Sequence, residues 1–158
     1  MNPTTLSAAP RMRRLGLAAM LLVASWGARA QFAMVPAPAC GPPRESAQEV
    51  EREFRIDASR HLYTCYAARI HKGKMPPLLY GVMIVEVELD AKGNVANLTV
   101  VRKPAADEVA PWVAALIRRA SPFPAPVKMP GGKVRFTEIF LVDKSGQFQT
   151  DSLTEGQR

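Results

Sequence analysis

The side chains best suited to chemistry in this chain are its two histidines and two cysteines. His61 and Cys65 stand four residues apart, a spacing that puts them on one face of a helix. A metal centre needs further ligands. The other histidine, His71, lies nearly a quarter-turn away from that face. A surface histidine beside a buried or bridged cysteine is the simpler reading, and no metal is expected. Glu86 and Glu88 have the look of a carboxylate pair, but they alternate along a strand, and the wet face of a sheet accounts for them more simply. Ser121 has no base near it in sequence. Gly131-Gly132 stands alone as a turn, and no Gly-rich phosphate loop occurs. With both histidines on an ordinary-looking helix, no nucleophilic triad can be assembled. No catalytic residue and no cofactor are expected.

Cys40 and Cys65 are the only cysteines. They do not form a CxxC pair, so a dithiol enzyme is not suggested. An even count with a single possible pairing, in a compartment that permits it, points to a Cys40–Cys65 disulfide. The alternative is a buried Cys65 and a free Cys40 thiol. Aromatic side chains often anchor interfaces, which brings in Tyr63, Tyr66, Tyr80 and Trp112. Trp112 falls in a helical apolar stripe and reads as core. Tyr80, just ahead of a strand, is evenly balanced between core and partner anchor. The Arg118-Arg119 pair suits an acidic partner, but a solvated helix end explains it more simply.

The compartment is inferred from the N-terminus. Arg11, Arg13 and Arg14 precede an apolar run from Leu15 to Gly27, and Ala28-Arg29-Ala30 puts small residues where signal peptidase reads them. A spanning helix needs about 20 apolar residues, and this run is shorter. Cleavage after Ala30 and a periplasmic location are therefore expected; membrane association is expected only if the segment is retained. Cys40 lacks the apolar residue three positions ahead that a lipid-attachment box needs. The full chain carries a formal charge of +7, but four of its 21 basic residues lie in the first thirty, leaving 17 against 14 acidic, or +3. That is an ordinary solubility charge, and it does not call for nucleic acid as partner.

Those residues need elements to hold them. The organising one is a hairpin from Val82 to Arg102. Met83, Val85, Val87 and Leu89 alternate with Ile84, Glu86, Glu88 and Asp90, the period of a half-buried strand. Asp90-Ala91-Lys92-Gly93-Asn94 turns the chain, with Gly93 free to take positive φ. Val95, Leu98, Val100 and Val101 resume an extended run. A lone hairpin is marginal in water, so other elements must cover its dry face.

Gln31 to Pro43 is proline-rich and is expected to be extended and poorly packed. Ser46 and Glu49 fit a capping box for a short exposed helix over Glu45–Arg55. Asp57 is placed to cap a second helix, Ala58–Lys72, stopped by Gly73. Near Asp107 a third helix opens, with Val109, Trp112, Val113, Leu116, Ile117 and Ala120 at helical spacing and Pro111 in its first turn. Val134–Asp143 is a strand, and Gln147–Ser152 is a candidate short fourth strand. The chain thus divides into a signal peptide at 1–30, a Pro-rich leader at 31–45, one domain at 46–152 and a frayed tail at 153–158. The domain is expected to be an α+β two-layer sandwich in the order α-β-β-α-β. Its antiparallel sheet has three strands in spatial order 2-1-3, or four if Gln147–Ser152 joins it, with both main helices on one face.

Taken in order, these features resemble a family. They are a helix with paired tyrosines, Pro76-Pro77, Gly81 leading a strand, and Leu89-Asp90-Ala91-Lys92-Gly93-Asn94-Val95 at a hairpin tip. A helix ending Arg118-Arg119-Ala120-Ser121-Pro122-Phe123-Pro124 and a final strand complete the set. The pattern is similar to the C-terminal domain of the TonB and TolA proteins of the Gram-negative envelope. The resemblance runs from Asp57 to about Asp143 and is closer to TolA through the proline-rich stretch. It implies a transport-related periplasmic module that binds an envelope protein, often by adding a strand at a sheet edge. The family's long spacer is replaced here by Gln31 to about Ala47.

A sheet of order 2-1-3 has its edges at the second and third strands. On the third, Arg135, Thr137 and Ile139 point one way and Phe136, Glu138 and Phe140 the other. The phenylalanine side should face the helices, leaving the Arg135, Thr137 and Ile139 side for a partner. If Gln147–Ser152 pairs there, it mimics a partner strand, and the chain is either autoinhibited or binds through the second strand's edge near Thr99 and Val101. A different class of function also fits the composition: a small secreted hydrolase or metal-dependent enzyme whose site the residues do not reveal.

Overall fold

The computed structural model describes residues 32–157 except Pro43, so the signal-peptide reading falls outside it. The elements run α1 (Glu51–Cys65), β1 (Gly81–Leu89), β2 (Val95–Arg102), α2 (Val109–Arg119), β3 (Val134–Val142) and β4 (Phe148–Thr150). The fold is α+β, with a four-stranded antiparallel sheet in the order β2-β1-β3-β4 and two helices. The central strand β1 is paired along its whole length with β3, from Gly81↔Val142 to Leu89↔Val134. Bulges interrupt its pairing with β2 at both ends, where Ala96 and Val101 are left over.

The alternation in β1 does what its period demands. Met83, Val85, Val87 and Leu89 are buried, while Ile84, Glu86 and Glu88 stand half-exposed on the other side. From β3, Phe136, Phe140 and Val142 join the same buried layer. The α1 residues Phe54, Ala58, Leu62 and Cys65 and the α2 residues Val109, Trp112, Val113, Leu116 and Ile117 complete one core with them. Both helices therefore cover one face, and among the described residues the face carrying Glu86, Glu88, Arg135, Thr137 and Ile139 has no helix on it. The hairpin tip is held by Asp90, whose carboxylate accepts from the amides of Lys92 and Asn94. Gly93 there has φ 80°, and a Cβ would lie 2.0 Å from the Phe123 carbonyl oxygen. Only glycine lets the hairpin tip sit against the chain leaving α2.

The N-terminal helices differ from the sequence expectation. There is one helix, not a short one over Glu45–Arg55 followed by another over Ala58–Lys72. Two competitors explain the shift. Residues 44–46 are drawn into extended pairing with Ala125, through Ala125 N–H to Arg44 O and Ser46 N–H to Ala125 O. The Ser46 hydroxyl then donates to Asp57, so neither residue caps a helix. At the other end, Tyr66 leaves helical geometry to bury its ring, and Ile70 pairs in parallel with Phe148. The helix therefore stops well short of Gly73.

Both ends of the described chain are also better packed than their composition suggests. Phe32 is buried, stacked on Tyr80 at 5.4 Å and edge-on to Trp112 at 5.2 Å. The leader is thus pinned at its start, although its other described residues up to Glu45 are exposed or half-exposed. The tail is not frayed over 154–157: Thr154 Oγ1 donates to Gln149, and Met75 N–H donates to Gly156 O. Gln149 is buried beneath it and also donates to the carbonyls of His71 and Gly73. Among the described residues no helix is long and apolar enough to cross a membrane.

Candidate functional site

The two borders of the sheet are unequal. On the β3 side the border is closed by the chain itself from Thr137 to Val142. β4 covers the end of β3, pairing Phe148 to Thr150 with Val142 to Phe140. The outer side of β4 is taken in turn: Phe148 O accepts from His71 N–H, and Thr150 N–H donates to the Tyr63 hydroxyl. Below β4, Glu138 carries a buried carboxylate. It accepts from the hydroxyls of Ser59 and Ser152 and from the amides of Ile139 and Ser152. Arg55 Nε approaches it to 3.9 Å, and Arg55 Nη1 donates to the Thr137 carbonyl. The Ile139 amide and the Thr137 carbonyl are thus already engaged by side chains. These groups hold the border of β3 against a further strand as far as Thr137.

On the β2 side, Ala96, Asn97, Thr99, Val101 and Arg102 are exposed. Among the described residues, the backbone of β2 from Ala96 to Val101 has no hydrogen-bond partner other than β1. This leaves a row of outward donors and acceptors about as long as a typical edge strand. Val101 is 60% exposed, with its aliphatic side chain at a bulge on this border.

The other expected contact residues are placed as follows. Arg135, Thr137 and Ile139 lie on the helix-free face, on the side of β3 the sequence assigned to them. Arg135 is committed to acid neighbours on β1, 2.7 Å from Glu88 and 3.9 Å from Glu86. Tyr80 is half-buried, stacked on Phe32, and its hydroxyl donates to Glu108. Thr99 and Val101 sit on the open border of β2. The structure therefore brings Thr99 and Val101 together on one accessible strand and separates them from Arg135, Thr137 and Ile139 by the width of β1.

The cysteines and His61 form a second cluster. Cys40 and Cys65 are joined in a disulfide, as the even count suggested, across a separation of 25 residues. His61 Nε2 lies 3.3 Å from Cys65 Sγ and 2.7 Å from Ala120 O. Burial lowers the His61 pKa below 6.5; the bond to Ala120 opposes that and nearby Arg44 adds to it. The Tyr66 hydroxyl, donating to Leu116 O, is pushed up to about 12, chiefly by burial. Asp143 is different. Burial raises its pKa, but bonds from Ser145, His71 and the Gln147 amide outweigh that and hold it below the usual value.

Sequence reasoning missed Glu138 and Arg55 as the groups that close a sheet border. Glu138 was on the right side of its strand, but an acid flanked by two phenylalanines gave no hint of its partners on α1 and the tail. Phe32 was missed because its proline-rich neighbours masked one aromatic residue.

No protein-family profile, curated protein or solved structure matches this chain.

Proposed function

We propose that this chain is a protein-binding module of the cell envelope, resembling the TonB/TolA C-terminal domain, and that it takes an extended segment of its partner on the outer border of β2. The observation that carries this reading is the inequality of the two borders: one is closed from Thr137 to Val142 by β4, Glu138 and Arg55, while among the described residues the other is left open. Soluble proteins usually blunt such an edge, so a long open one needs an explanation. Strand addition supplies affinity through main-chain bonds, and alternate side chains set selectivity. Here those side chains are Asn97 and Thr99, with Val101 at the bulge. The order of elements, the cleavable-looking N-terminal segment and the disulfide support a periplasmic setting.

A photo-crosslinking residue placed at Thr99 or Val101 in cells tests this. Discrete adducts with an envelope protein are expected from those positions and not from Lys128 on the exposed loop after α2. Adducts from Arg135 or Ile139 but not from Thr99 or Val101 would move the site to the sheet face. Absence of adducts at all four sheet positions would remove the strand-addition reading.

A further inference from the structure

We propose that reduction of the Cys40–Cys65 disulfide turns this corner of the molecule into a binding site for a thiophilic metal ion, Zn²⁺ in the first instance. The inference goes beyond the partner-binding reading and does not depend on it. Its basis is that Cys40, His61 and Cys65 offer ligand atoms all within 4.8 Å of one another. A fourth donor is close by and can turn to the ion once its bond with His61 is given up. The Ala120 carbonyl oxygen lies 2.7 Å from His61 Nε2 and 3.9 Å from Cys40 Sγ. Around a tetrahedral zinc ion, neighbouring sulfur, nitrogen and oxygen donors sit about 3.3–3.8 Å apart. The Cys65 Sγ to His61 Nε2 distance is already 3.3 Å, so one edge of that tetrahedron exists. Once the S–S bond is broken the sulfurs can separate to the same spacing. His61 would bind through Nε2 with its proton on Nδ1, giving up its present bond to Ala120.

The donors stay near one another without the disulfide. Cys65 and His61 are one turn apart on α1. Cys40 is bracketed by backbone bonds on both sides: Ala39 N–H donates to Cys65 O at 2.8 Å, and Ala125 N–H donates to Arg44 O at 2.8 Å. The His61 ring is further held against Phe123, with centroids 5.0 Å apart. A cleft of about 210 Å³ lined by Arg44, Asp57, His61, Thr64 and Pro124 adjoins the cluster on its His61 side.

The chemistry balances with a thiol as reductant. Two R–SH are oxidised to R–S–S–R, and Cys40 and Cys65 each gain one hydrogen. Zn²⁺ then binds both sulfurs as thiolates, and two protons pass to solvent. The oxidised chain has no thiolate to offer, so the site opens only on reduction.

The test uses the purified protein, with and without a phosphine reductant, titrated with Co²⁺ as a spectroscopic probe and with Zn²⁺ against a chromophoric chelator. Thiolate-to-cobalt charge-transfer bands and one ion per chain are expected for the reduced protein, and neither for the oxidised one. Losing even an outer partner of a metal ligand costs about 10–100-fold in affinity, so His61→Ala should lose at least tenfold while His71→Ala changes nothing. Binding unaffected by His61→Ala, or no charge-transfer band with two free thiols titrated, would overturn the proposal. So would a disulfide that the reductant cannot open in the folded protein. If reduction unfolds the chain, Zn²⁺ should restore its helical circular dichroism, and failure to restore it counts against the site equally.

Discussion

At Glu138 a carboxylate is taken out of water and surrounded by donors from Ser59, Ser152 and Ile139, with Arg55 close by. Burying a charge is costly unless its lone pairs are filled, and removing it strands the groups that filled them. Glu138→Ala should therefore cost about 3 kcal/mol, read as a lower urea midpoint with unchanged m-value. Glu138→Gln should lose less, because it keeps two oxygen lone pairs for the amides. A loss below that of an ordinary surface substitution would show that the cluster is not structural. His61 makes the complementary prediction in pH. Its folded pKa lies below the unfolded value of 6.5, so the unfolded state binds the proton more readily. The stability it contributes is fully present above pH 6.5 and drains as pH falls through the folded pKa. Asp143, also depressed, loses its contribution only below its ordinary value of 3.8, far from that window. Thermal melts between about pH 5 and pH 7 should thus slope downward with acid, and His61→Gln should flatten the slope. An unchanged slope in the variant would place the titration elsewhere.

At the scale of elements, β4 is the case that separates decoration from structure. It is three residues long, yet Phe148 is fully buried and meets Tyr63, Tyr66, Trp112 and Phe140. A strand that merely occupied a binding border would not send its one aromatic residue into the core. Deleting 147–158 should unfold the domain, with loss of near-UV circular dichroism and of a cooperative melt. A truncated chain that stays folded would instead make β4 a removable mimic of a partner strand. The strands and α2 were legible because each carries a strict period: two in β1 and β3, three to four in α2. The Asp90–Asn94 turn and the pairing order followed from them. The helix at the N-terminal side was not legible in the same way. Ser46, Asp57 and Gly73 are good cap and stop residues by local chemistry. Tertiary pairing of 44–46 with Ala125 and of Ile70 with Phe148 overrode them. The same limit explains the cysteine cluster. His61 and Cys65 were visible as a pair at helical spacing. The approach of Cys40 and the Ala120 carbonyl depends on where the leader and the end of α2 meet.

For the whole molecule, the leader and the tail act as straps that hold the two layers together. The leader is attached at several separate points. Phe32 packs on Tyr80 and Trp112, the Val35 carbonyl accepts from Arg119, Ala39 donates to Cys65, and the disulfide follows at Cys40. Closing a loop of 25 residues should stabilise the chain by about 3 kcal/mol in the chain-entropy account. Phe32→Ala should cost about 3 kcal/mol, the low end for a buried phenylalanine, because a strap at the surface can shift to close the gap. If the attachments are independent, the effects of Phe32→Ala and of replacing both cysteines by serine should add to within about 0.5 kcal/mol in a double-mutant cycle. Independence is also what keeps Cys40 beside His61 once the bridge is open. A cycle in which the cysteine replacements abolish the cost of Phe32→Ala would mean that the disulfide alone holds the leader down. Reduction would then release Phe32 and uncover Tyr80 and Trp112, and the corner around His61 would come apart instead of gathering ligands.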